Sequence, residues 1–167
     1  LLEWAARTPE VRRIYVDVKV AATDPARADL LFREIHRLHA ASRAGTELFF
    51  ISPYRPIVEA LIAARAALGA LAHLIAWDFE GAGSLAGARR VSLRHVSTGL
   101  TPTRSEDDFM DEVQTLVDAR RDGDIDSITA WTIDKRIQMA LLLYLGADAV
   151  LTNDPAELHD VWQKTLR

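Results

Sequence analysis

Asp17 and Lys19 stand two residues apart in the alternating run RIYVDVKV, so on a β-strand their side chains share one face. A carboxylate beside an ammonium suits a site in which the acid holds a hard cation through oxygen while the amine meets an anionic oxygen, such as that of a phosphate. An ion pair at a strand edge accounts for the same spacing. Further along, Ser52, Asp78, Ser97, Trp131, Asp134 and Asn153 each stand at or near the carboxyl end of a short hydrophobic run. Taken singly, each has a structural explanation: Asp134 as the cap of the following helix, Trp131 as a core ring, Asn153 as the start of a turn before Pro155. A polar residue after every run is harder to attribute to capping alone.

The elements that carry these residues alternate. Arg13 to Val20 places Ile14, Val16, Val18 and Val20 on one side of a strand and Tyr15, Asp17 and Lys19 on the other. Thr23 or Asp24 caps a helix with Pro25 in its first turn, running to about Arg43, with Gly45 closing it. The strand Glu47 to Ser52, a helix opened by Pro56 and stopped at Gly69, and the strand Ala72 to Asp78 continue the rhythm. The Gly- and Ala-rich stretch Gly81 to Gly87 reads as a loop, and Val91 to Ser97 as a strand. Ser105 caps a helix to about Arg121, with Glu106, Asp107 and Asp108 in the first turn where the helix dipole favours acids. Ile128 to Ile133, Lys135 to Leu145 and Ala149 to Thr152 then read as strand, helix and strand, Gly146 ending the helix, and Pro155 to Leu166 as a last helix. This is an α/β pattern of about six strand units. Two architectures fit it. An open doubly wound sheet is weakened because no Gly-rich phosphate loop follows any strand; the other is a (β/α)8 barrel without its first two units, whose strand exits would gather the polar residues on one rim.

With 167 residues, 49% hydrophobic and 26% charged, the chain can bury a core and does not have a disordered composition. A net charge of -4 and a pI near 5.7, with Lys and Arg scattered along helical faces, argue against nucleic acid as a partner. There is no cysteine, which removes disulfides, thiolate catalysis and zinc-thiolate sites together and leaves the redox compartment open. Glu59 and Arg65 interrupt the longest apolar segment, Ile57 to Ala72, so no transmembrane segment is expected. The chain opens LLEWAART, without Met or the charged-then-apolar pattern of a signal peptide. Among the histidines, His36 and His39 have a spacing that suits zinc, yet they fall in mid-helix, where a solvated face is the expectation. His73 begins a strand, His159 lies in the last helix, and only His95 falls near a strand's carboxyl end, as a lone general-base candidate.

The segments WTIDKR and GADAVLTNDP resemble the glycerophosphodiester phosphodiesterase superfamily, and within it the sphingomyelinase D or phospholipase D toxins of spider venoms and their bacterial and fungal relatives, whose corresponding motifs are WTVDK and TNYP. YVDVKV is similar to that branch's Asp-x-Lys strand, FFISPY to its strand ending in serine, and AWDFEGAG to its Asp-Phe-Ser-Gly turn. VSTGLTPT is similar to its Ser-Asp-Gly segment, with Thr98 in place of the acid. The resemblance implies a TIM (β/α)8 barrel with about six of its eight units present, as a single partial domain over residues 1–167. It implies that Asp17 is a magnesium ligand, that Lys19 contacts the phosphate as a catalytic group, and that Ser52, Asp78, Trp131, Asp134 and Asn153 shape the substrate pocket. The implied cofactor is Mg2+ and the implied substrate a phospholipid or glycerophosphodiester. The implied reaction removes the head group of a choline-type phospholipid, often by attack of the substrate's own hydroxyl to leave a cyclic phosphate. Secretion follows from the resemblance alone, and the oligomeric state stays open.

In that family the first strand carries a His, then a Glu-x-Asp metal pair, with a second His soon after. None of these stands among the sixteen residues upstream of Asp17. A complete barrel needs about 250 residues, which matches two further βα units. LLEWAART resembles the helix end that precedes a third strand, so the expectation is a longer chain of which this stretch alone is inactive. A glycerophosphodiester phosphodiesterase, or a non-catalytic phosphate or lipid-head-group binding module, are the alternatives.

Overall fold

The computed structural model describes residues 2–8, 11–42, 45–79 and 83–165. In chain order the elements are α1 (Leu2–Ala6), β1 (Arg13–Asp17), α2 (Pro25–Ser42), β2 (Glu47–Ser52), α3 (Arg55–Ala67), β3 (Leu74–Phe79), α4 (Ser84–Arg90), β4 (His95–Gly99), α5 (Glu106–Arg121), β5 (Ser127–Trp131), α6 (Arg136–Leu145), β6 (Ala149–Val150) and α7 (Pro155–Thr165). The strand order follows the chain from β1 to β6, and the registered pairs are parallel. A doubly wound sheet reverses its strand order at a switch point, whereas a barrel keeps it sequential, so the topology is that of a partial (β/α)8 barrel. The chain divides into two compact units, residues 1–76 and 77–167, with β3 running from one into the other.

In the first unit β1 pairs with β2 from Arg13 opposite Glu47 to Asp17 opposite Ile51. The alternation read from RIYVDVKV therefore sorts the side chains. Phe50 of β2 lies under α2, its ring 4.7 Å from that of Phe32. On the other face Tyr15 and Phe49 stack at 5.1 Å beside Ile51, Ala76 and Leu74. Asp24 caps α2 by accepting the Arg27 N–H at 3.1 Å, and Ala28 and Phe32, one turn apart, are its buried residues. On α3, Ile57, Val58, Leu61 and Ala64 form the buried stripe.

In the second unit β4 and β5 run from His95 opposite Ser127 to Gly99 opposite Trp131, and β3 joins β4 with Asp78 opposite Ser97. One core holds Phe109 and Val113 of α5, Ala130 of β5, Ile133 of the following segment, Met139 and Leu142 of α6, and Val161 of α7. Ala130 places its face of β5 toward the helices. The alternate residues Asp78, Ser97, Thr129 and Trp131 thus share the opposite face.

Several boundaries move. Ser84 to Gly87, read as loop, belongs to α4, and Gly87 is there for packing: a Cβ would lie 2.7 Å from the Trp77 ring. Gly81 and the end of the first long helix at Arg43 lie outside the described residues, as do Pro9 and Leu166. Val91 to Leu93 close α4, with the Leu93 N–H donated to Ala88 O, so β4 starts only at His95. Lys135, rather than Asp134, occupies the cap position of α6, and no side chain caps it.

Candidate functional site

The second unit joins two of the sequence-predicted residues directly. Trp131 Nε1 donates to Asp78 Oδ1 at 2.5 Å. Asp78 is on β3 and Trp131 on β5, so the indole crosses the end of β4, and it does so over Gly99, where an added Cβ would meet the ring at 2.6 Å. The Leu100 N–H donated to Trp131 O, at 2.6 Å, closes the same corner. Asp78 is buried and Trp131 half-buried, which gives a carboxylate held in place by a ring on the face turned away from the helices. On that face Ser97 Oγ and Thr129 Oγ1 are buried without a protein hydrogen-bond partner. Two such hydroxyls are available to a ligand or to water. Thr129 was missed in the sequence; its signal is the period of two in SITAW, where Ser127, Thr129 and Trp131 alternate with Ile128 and Ala130.

Asp134 and Asn153 are also brought together. Asp134 Oδ1 accepts the Asn153 N–H at 2.8 Å and the Thr152 hydroxyl at 2.9 Å, and Oδ2 accepts from Asn153 Nδ2 at 2.9 Å. The backbone N–H of Asn153, then its side chain and Thr152, hold the Asp134 carboxyl below its usual range. The exposed clasp ties the segment after β5 to the segment after β6. Asp154 then caps α7, accepting the Glu157 N–H at 2.9 Å.

In the first unit Lys19 Nζ stands 3.1 Å from Asp17 Oδ2, with side-chain exposures of 83% and 46%. Val18 between them is fully buried, its N–H donated to Ile51 O at 2.9 Å, so the two charged neighbours are turned outward. Ser52 is fully buried and donates to Val18 O at 3.5 Å. It alternates with Ile51, the register partner of Asp17, and serves the strand end rather than sharing Asp17's face. Lys19 also lines an open cavity of about 520 Å³ with Val20, Ala21, Asp24, Arg27, Leu30 and Leu31. As a magnesium ligand Asp17 fits in donor type and exposure but fills one position of an octahedron. Among the described residues no group of three metal-ligating side chains is gathered.

The histidines correct the sequence reading. His36 and His39 are half-buried rather than on a solvated face. His36 Nδ1 and His73 Nε2 share a hydrogen bond at 2.9 Å, and His39 Nε2 donates to Thr46 O at 2.7 Å. Burial, then His39 and His36, push His73 down to about 4. Thr46 and His73 precede β2 and β3, so this cluster lies at the amino ends of those strands, away from their exits. His95 opens β4 instead of ending it, and bonds Ser127 Oγ at 2.8 Å.

No family model matches the chain. A dermonecrotic toxin from Loxosceles laeta is 29% identical over 101 residues, covering 54% of this chain and 33% of the toxin. A glycerophosphodiester phosphodiesterase from Parabacteroides distasonis superposes with a TM-score of 0.73 at 12% identity, over 99% of this chain and 63% of that one. A Silicibacter pomeroyi protein described as a glycerophosphoryl diester phosphodiesterase gives 0.71 at 12% identity, over 98% and 54%. A thiamine phosphate pyrophosphorylase from Pyrococcus furiosus follows with a TM-score of 0.52 at 12% identity. At 12% identity these structures speak for the fold. The chain spans about a third of the curated relative it matches and just over half to nearly two thirds of the two diesterases. Motifs, curated relative and fold agree: the chain resembles the glycerophosphodiester phosphodiesterase superfamily, on its sphingomyelinase D-like side.

Proposed function

We propose that this chain comes from a magnesium-dependent phosphodiesterase of the sphingomyelinase D or phospholipase D type, which removes the head group of a choline-type phospholipid. The observation that carries the reading is the bond between Trp131 and Asp78. It unites WTIDK and AWDF, whose bonded residues stand 53 positions apart and which both resemble motifs of the family.

Roles follow from position. Asp17 would hold the cation, which when bound would supply Lewis-acid polarisation of a phosphodiester oxygen. Lys19, exposed and mobile in its donors, meets the phosphate charge. Within the second unit Asp78 and Trp131 form a pocket wall, Ser97 and Thr129 offer it hydroxyls, and the Asp134–Asn153 clasp joins the segments after β5 and β6. Ser52 supports the strand end that carries Asp17 and Lys19. The five histidines all stand off the strand exits, so none of them is assigned proton transfer at phosphorus. Lys19 and Arg27 beside Leu30 and Leu31 support an amphiphilic substrate, since cations and an apolar wall meet in one cavity.

A second reading, hydrolysis of a water-soluble glycerophosphodiester, is favoured by the two diesterase neighbours. Full-length protein with magnesium, given lysophosphatidylcholine, sphingomyelin and glycerophosphocholine in turn, separates the two. Choline release from the lipids, with a cyclic or open phosphate product, is the expected result. Glycerol 3-phosphate as product without choline release from the lipids assigns the second reading, and binding without turnover of any of the three assigns a non-catalytic module.

A further inference from the structure

We propose that Arg104 and Glu112 are positioning residues that set the Trp131–Asp78 contact from behind, an inference that rests on the pocket role given above to those two. Glu112, on α5, is 8% exposed. Its carboxylate accepts the N–H groups of Gly83 at 3.1 Å and Ser84 at 2.9 Å, and the Ser84 hydroxyl. These residues open α4, five and six positions after Asp78, with Gly83 in the left-handed region at φ 102. Arg104, with its side chain 6% exposed, stands 4.0 Å from Glu112. It donates from Nη1 to Thr98 Oγ1 at 3.0 Å and to Gly99 O at 3.2 Å, and from Nη2 to Asp108 O at 3.0 Å. Its guanidinium lies 5.4 Å from the Phe109 ring centroid.

The pair thus grips two places that bear on one contact. Arg104 holds the carbonyl of Gly99, the residue over which the indole passes, and Glu112 holds the start of α4, the element that follows Asp78's strand. An apolar pair would fill the same space without the cost of desolvating two charges, so what the charges add is direction: their hydrogen bonds fix the backbone N–H groups of Gly83 and Ser84 and the carbonyls of Gly99 and Asp108. Hold on Gly99 is hold on the ring, because no Cβ separates the strand from the indole.

The test is Glu112→Gln in the full-length protein, with Ser84→Ala as the milder variant should loss of the charge unfold it. One readout is hydrogen exchange of the Trp131 indole N–H by NMR, assigned with Trp131→Phe; the other is steady-state kinetics on the phosphodiester that the wild type cleaves. In Glu112→Gln the indole proton exchanges about tenfold faster while the amides of β4 and β5 keep their protection, and KM rises about tenfold with kcat nearly unchanged. Ser84→Ala moves the same quantities by about threefold. An unchanged indole rate in the folded variants, or protection lost evenly through β4 and β5, overturns the positioning role. Faster indole exchange in a protein that cleaves no phosphodiester leaves the positioning role standing and removes the functional reading instead.

Discussion

Trp131 gives its indole hydrogen to Asp78 across a strand to which neither belongs, and Gly99 at the end of that strand is what leaves room for the ring. Three neighbouring strands of the second unit thereby end in one polar corner, with the buried hydroxyls of Ser97 and Thr129 on the same face.

Gly99→Ala should break this corner without touching either hydrogen-bonding group. A Cβ placed 2.6 Å from the ring forces the indole or the strand to move. Overpacking of this kind costs about 1–3 kcal/mol, and the displaced indole gives up its hydrogen bond to Asp78. Urea unfolding and initial rates on the full-length protein measure the two effects. The expected outcome is a clear loss of stability with a fall of about tenfold in kcat/KM; wild-type values for both would mean that the ring does not rest on the strand.

Asp17→Asn removes the anionic oxygen proposed for the cation and keeps the size of the side chain. Turnover in the full-length protein should become insensitive to added magnesium and fall to background, with the thermal midpoint close to wild type, since the partner Lys19 is exposed. Magnesium-stimulated turnover at the wild-type level would remove Asp17 from the metal site.

Acid should weaken the first unit through His73. Its folded value, about 4, lies below the ordinary 6.5, so the folded chain binds fewer protons than the unfolded one between those values. Stability from this group is full above pH 6.5 and declines as pH falls toward about 4. The full span corresponds to on the order of 3 kcal/mol. Urea unfolding at pH 7 and pH 5 reads it, and His73→Phe, a ring accepted by neighbours Phe32 and Phe50, should flatten most of the difference. An equal pH slope in that variant would place the titration elsewhere.

Legibility along the chain tracked how local the cause was. ELFFIS is a strand at both of its predicted ends because a continuous apolar run covered on both faces reads the same way in any context. The helix after Ser105 starts where expected, since its cap accepts the Asp108 N–H within one turn. Gly87 misled because glycine and alanine weaken a helix signal, while the reason for that glycine, the Trp77 ring, lies ten residues away in another element. His36 and His39 misled for the same reason: their partner His73 is 37 residues from His36.

By itself the amino-acid order determined the β/α rhythm, the polar residues at the strand exits and the motifs that point to a phosphodiesterase, because periodicity, caps and short motifs are written in neighbouring residues. Tertiary structure alone decided which of those residues meet. Register placed Asp78, Gly99 and Trp131 on one face, and only a strand without a side chain at its end lets a ring on β5 reach an acid on β3. It also turned Asp134 from a helix cap into a clasp on Asn153 and buried Ser52, since hydrogen bonds between segments far apart in sequence exist only once the strands are paired.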